Sequence, residues 1–81
     1  MDMKFLEDQF GGFTVELAAG QNVWQYWNDN KVITVEMVAG KYQVTEIGNG
    51  KKVINLFKNQ TSVIGAVLLA NSKTAIFQKP A

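Results

Sequence analysis

The chain has no cysteine, no histidine and no arginine, and only one proline. Without cysteine there is no disulfide framework, thiol redox centre or thiolate metal site. Without histidine the usual proton carrier near neutral pH is missing, along with a common zinc ligand. Without arginine there is no bidentate fork for phosphates or base edges. No apolar run approaches the roughly 20 residues that cross a bilayer. The opening "MDMKFLEDQFGGF" is mixed in charge and lacks the basic and apolar regions of a secretory signal. These absences lead us to expect a cytoplasmic chain that binds no metal, carries no cofactor and is not an enzyme.

What is present suits one small globular domain. The 81 residues are 47% hydrophobic and 19% charged, a composition unlike that of a disordered chain. A domain of this length buries a modest share of its surface, so it has little stability to spare or leans on a partner. The net charge of +1 hides an asymmetry. Residues 1–40 hold two lysines against six acids, a net of −4, and residues 41–81 hold six lysines against Glu46, a net of +5. Such a split marks a basic face, or two halves that neutralise each other when interleaved.

The middle of the chain alternates with period two, the signature of half-buried strands. In "FTVELA" the alternation sets Phe13, Val15 and Leu17 against Thr14 and Glu16. In "KVITVEMV" it sets Ile33, Val35 and Met37 against Thr34 and Glu36, and "KYQVTEI" and "KKVINLFK" follow suit. A two-residue turn at Ala39-Gly40 pairs Met37 with Tyr42, Val35 with Val44 and Thr34 with Thr45. A three-residue loop at Gly48-Asn49-Gly50 pairs Tyr42 with Leu56, Val44 with Ile54 and Glu46 with Lys52.

"VWQYWNDNKV" places three large rings within four residues. As a strand turning at Asp29-Asn30, it sets Tyr26 opposite Ile33 and Trp24 opposite Val35, and sends Trp27 to the other face. A longer loop at Ala19 to Asn22 sets Leu17 against Trp24 and Val15 against Tyr26. A short helix capped by Asn22 is the alternative, which the aromatic and β-branched content disfavours.

Residues 60–72 read as a helix started by Asn59 or Thr61, with Ile64, Val67 and Leu68 at helical spacing and Asn71 as a stop. A buried strand is the alternative for "VIGAVLLA". Asn59-Gln60-Thr61 formally matches a glycosylation acceptor but reads better as a helix start. "DMKFLEDQ" suits a short helix closed by Gly11-Gly12, and "TAIFQ" a further edge strand. The expected fold is therefore α+β: an antiparallel β-meander of about five strands over 13–57, with one C-terminal helix packed on its apolar face. The single domain spans 1–81, with 1–12 as its N-terminal and 73–81 as its C-terminal segment. The expected core is Phe13, Val15, Leu17, Trp24, Tyr26, Ile33, Val35, Met37, Tyr42, Val44, Ile54, Leu56, Ile64, Val67 and Leu68.

Little here supports catalysis. The carboxylates mostly fall on solvent-facing positions or in the polar N-terminal segment, apart from Glu46, which faces Lys52 as an ion pair. No serine or threonine has a base beside it. "GNGK" shares residues with a phosphate loop but lacks its spacing and its following helix, and reads as a hairpin turn. Two surfaces remain unexplained. On the polar sheet face Trp27, Val32 and Ile47 form a row across three strands, with Val53 and Phe57 also pointing outward. An apolar patch in a polar rim suits a protein interface, unless Phe5, Leu6 and Phe10 fold back over it. The helix carries no charge from Thr61 to Ser72, so it wants cover on more than one side, from the termini or a second subunit.

In size and composition the chain is similar to small accessory proteins of bacteria and their phages. The expected function is a protein-interaction module, self-associating as a homo-oligomer, that uses Trp27, Val32, Ile47 and Phe57. The alternative is binding of single-stranded nucleic acid through Lys31, Lys51, Lys52 and Lys58 beside the sheet aromatics.

Overall fold

The computed structural model describes residues 3–28 and 31–78. It is an α+β fold. Helix α1 (Lys4–Phe10) leads into strands β1 (Phe13–Glu16), β2 (Asn22–Asn28), β3 (Lys31–Val38), β4 (Lys41–Gly48) and β5 (Lys51–Phe57), and helix α2 (Gln60–Gln78) follows. The sheet is antiparallel throughout, in the order β1-β2-β3-β4-β5. Helix α2 runs on to Gln78, so "TAIFQ" continues the helix and does not form an edge strand. The expected turn at Asp29-Asn30 lies outside the described residues.

The central hairpin forms in the expected register. Ala39 (φ 52°) and Gly40 (φ 79°) make a two-residue left-handed turn, so Met37 pairs with Tyr42, Val35 with Val44 and Thr34 with Thr45. Strand β2 also pairs as expected, Trp24 with Val35 and Tyr26 with Ile33. The rings of Trp24 and Tyr26 stack 5.6 Å apart on the inner face, while Trp27 goes to the outer one.

Both edge strands differ from expectation, and by an odd number of residues. The β4–β5 turn is the two-residue Asn49-Gly50 (φ 54° and 74°), with Gly48 paired to Lys51. Tyr42 therefore pairs with Phe57, and Glu46 with Val53 in place of Lys52. A one-residue slip moves every side chain of a strand to the other face. Ile54 and Leu56, expected in the core, stand half-exposed, whereas Phe57, expected outside, packs against the core. At the other edge Ala18-Ala19-Gly20 is a three-residue loop. Leu17 N–H donates to the Gln21 carbonyl (2.7 Å) and Gly20 N–H to the Leu17 carbonyl (2.8 Å), with Gly20 left-handed. Thr14 consequently pairs with Trp24 and Val15 with Val23. Phe13, Val15 and Leu17 leave the expected core and are exposed, and Thr14 Oγ1 is buried with no hydrogen-bond partner among the described residues.

The inner face is covered by both helices. Gly11 and Gly12 take positive φ, and Trp24 Nε1 donates to the Gly11 carbonyl at 2.8 Å. This bend lays α1 on the inner face. There Met3 and Leu6 are buried, Phe10 meets Trp24, and Phe5 meets Tyr42 edge-on at 5.7 Å. The N-terminal aromatics thus do not cover the outer face. Asn59 caps α2, its Oδ1 accepting from Ser62 N–H at 2.9 Å. The helix buries Val63, Val67 and Ala70. The expected stripe of Ile64, Val67 and Leu68 is rotated: Ile64 is half-buried and Leu68 is exposed. With apolar residues almost all round this helix, periodicity alone does not select a face.

Candidate interaction surface on the open sheet face

The register sorts the outer face into three long rows, with Val38 and Lys41 as a short fourth. One row runs Trp27, Val32, Ile47 and Lys52 across β2 to β5. The next runs Phe13, Gln25, Thr34, Thr45 and Ile54, and the third Val15, Val23, Glu36, Gln43 and Leu56. Apolar side chains thus form a horseshoe around a polar centre of Gln25, Thr34, Thr45, Gln43 and Glu36. The two rings at its first corner touch, with the centroids of Phe13 and Trp27 5.4 Å apart.

Much of this apolar surface is open. Phe13 is 58% exposed, Trp27 53%, Ile47 46%, Ile54 50% and Leu56 53%. With Val15, 42% exposed, they form an apolar surface of the kind that marks an interaction site. Edge residues Phe13, Ile54 and Leu56 join the face only because β1 and β5 are flipped relative to expectation. Exposed Trp27, half-buried Val32 and exposed Ile47 stand in one row as their alternation required, and Lys52 ends that row where Lys51 was expected nearby. Phe57 and Val53 belong to the inner face.

The expected lysines do not converge. Lys31 lies under α2, where Nζ donates to the Ala70 carbonyl at 3.1 Å and pairs with Glu46 Oε1 at 3.5 Å. Glu46 is thereby matched with Lys31, not Lys52. Lys51 and Lys52 alternate between the two faces, and Lys58 follows the strand as an exposed residue.

On the inner side α2 is fastened near both ends of its packed length. Gln60 Nε2 donates to Tyr42 Oη (3.2 Å), and Asn28 Nδ2 to Asn71 Oδ1 (3.0 Å). Between β5 and α2 a shallow groove of about 300 Å³ is lined by Glu46, Asn55, Phe57, Ser62, Gly65, Ala66 and Leu69. Among the described residues no group of acids is placed to hold a metal ion, and no helix is long and apolar enough to cross a membrane.

No known family model matches the chain, and no curated protein or solved structure is significantly similar to it.

Proposed function

We propose that the chain is a small non-enzymatic protein-interaction module that docks a folded protein partner on its open sheet face. The observation that supports this reading is the horseshoe of exposed apolar side chains around a polar centre, anchored by the Phe13–Trp27 pair. Large aromatic side chains are the anchors that protein interfaces favour. Glu36, Lys41 and Lys52 are the charged residues of this face and lie in different rows, so the fitting partner surface is apolar at its margin, hydrogen-bonding at its centre and at most weakly acidic. Self-association and a cytoplasmic location belong to the same proposal, the latter supported by the lack of cysteine.

A photo-cross-linking residue placed at Thr34, in the centre of the face, tests it in cells. A discrete cross-linked partner is expected, and it should be lost with Trp27→Ala or with Phe13→Ser while the circular dichroism of each variant stays that of the parent. Cross-links that persist in both folded variants would remove the outer face as the docking surface.

A second reading is binding of single-stranded nucleic acid. The aromatic pair and Lys52 on one face favour it, but the tied position of Lys31 weakens it. It predicts affinity for oligonucleotides that falls steeply with salt. Salt-insensitive binding, or none, would discard it.

A further inference from the structure

The two edges of the sheet are treated differently. Edge strand β1 has only four residues, and its Thr14 N–H, turned away from β2, donates to Glu7 Oε2 at 3.1 Å. A short strand with an acid from α1 across it is a protected edge. Edge strand β5 has seven residues, and among the described residues no side chain bonds across it as Glu7 does across β1. Its hairpin closes through a two-residue turn with Gly48 opposite Lys51. In such a hairpin the closing pair is hydrogen-bonded and bonding alternates from there. Lys51, Val53, Asn55 and Phe57 therefore bond to β4, and Lys52, Ile54 and Leu56 turn their N–H and C=O groups outward. No described residue bonds to those outward groups.

This edge also lacks the usual deterrents. From Val53 to Phe57 it carries no charge, proline or glycine, and its apolar residues lie on both faces. Helix α2 packs more against β4 than against β5.

We propose that β5 pairs antiparallel with β5 of a second copy, forming a two-fold dimer with one continuous ten-stranded sheet. The strand's own pattern selects the copy and the register. A sheet that keeps its faces must pair even residues with even ones, because a slip by one turns the outer face inward. Pairing along the whole strand is centred on Ile54. It sets Ile54 against the partner's Ile54, Lys52 against the partner's Leu56, Val53 against the partner's Asn55, and Lys51 against the partner's Phe57. No lysine then faces a lysine, whereas centring on Asn55 would oppose Lys52 to the partner's Lys58. The proposal rests on backbone groups and strand charge, and because Ile54 and Leu56 also lie on the outer face, Thr34→Cys and Trp27→Ala are the variants that separate it from the outer-face reading.

The experiment combines mass in solution with a single engineered thiol, which the cysteine-free chain makes unambiguous. Sedimentation should give twice the 9.0 kDa chain mass. Ile54→Lys, which places two like charges on the axis, should return the mass to one chain with unchanged circular dichroism. Ile54→Cys should oxidise to a disulfide-linked dimer under mild conditions, because directly opposed residues on paired strands lie within disulfide reach. Thr34→Cys, two strands from the edge, should not. A wild-type chain that stays monomeric up to about 100 μM overturns the proposal. So does a dimer that survives Ile54→Lys and leaves Ile54→Cys unlinked. A dimer lost with Trp27→Ala, but not with Ile54→Lys, would assign self-association to the outer face instead.

Discussion

Phe13 and Trp27 meet with their ring centroids 5.4 Å apart, on the side of the sheet that neither helix covers. They come from different strands, and β1 had to turn its apolar side chains away from the core for the contact to form. The opposite face is closed by α1 and α2 over Trp24, Ile33, Val35 and Val44. The fold therefore has one satisfied apolar face and one that is only partly polar, a distribution that a lone domain in water does not need.

The two tryptophans should respond oppositely to truncation. Trp24 is fully buried and its indole holds the Gly11 carbonyl, so Trp24→Ala should cost about 3–5 kcal/mol and leave so small a domain largely unfolded. Trp27→Ala removes a half-exposed ring and should cost under about 1 kcal/mol. Urea titration of both variants checks the contrast; equal losses would mean that Trp27 is structural.

The turn between β3 and β4 has room for improvement. Ala39 sits at φ 52°, a left-handed conformation that disfavours a Cβ. Asn-Gly is the preferred pair in such a turn, and Asn49-Gly50 already supplies it one hairpin later. Ala39→Asn should stabilise the protein by about 0.5–1 kcal/mol, read as a raised urea midpoint at constant slope.

Gly65 interrupts α2 without a steric reason, since a Cβ there would meet nothing within 4 Å. Gly65→Ala should therefore add about 1 kcal/mol of stability through helix propensity. Gly12→Ala is the counterpart. Its Cβ would lie 2.4 Å from the Gln25 carbonyl oxygen at φ +75°, and the variant should lose more than about 1 kcal/mol. Thermal melts of the pair should move in opposite directions.

Lys31 and Glu46 are coupled beneath α2, with side chains 15% and 12% exposed. Lys31→Met should destabilise by about 1–3 kcal/mol, because it leaves a mostly buried carboxylate without its cation. Combining it with Glu46→Gln should recover part of that loss. A double-mutant cycle measures the recovery, and strict additivity would mean that the pair does not interact.

The central strands were legible in the residues, and the edges were not. Strands β2, β3 and β4 have neighbours on both sides, so their alternation is constrained twice, and Ala39-Gly40 admits a single tight turn. Strand β1 alternates as cleanly, yet its register is set by Ala18-Ala19-Gly20, where the left-handed glycine ends the loop two residues earlier than expected. Strand β5 is apolar on both faces at 53, 54, 56 and 57, so its pattern tolerates either register. The outer row of Trp27, Val32 and Ile47 was readable because it lies wholly on the well-determined strands. Phe13, Ile54 and Leu56 were missed because they lie on the flipped ones. The left-handed preference of Asn-Gly was the one signal that favoured the shorter β4–β5 turn.

By itself the sequence determined the class of fold, the strand order, the inward Trp24 and Tyr26, the outward Trp27 and a start of the last helix at Asn59 or Thr61. Each follows from local periodicity or a single backbone preference, which neighbouring residues carry between them. Tertiary structure alone decided which face of the uncharged helix is buried, where α1 lies, and how the edge strands turn. Those choices depend on packing and loop closure between distant segments: the Ala70 carbonyl accepts from the Lys31 ammonium, and Gly12 fits against the Gln25 carbonyl. One consequence is an edge at β5 whose outward backbone groups bond to nothing among the described residues.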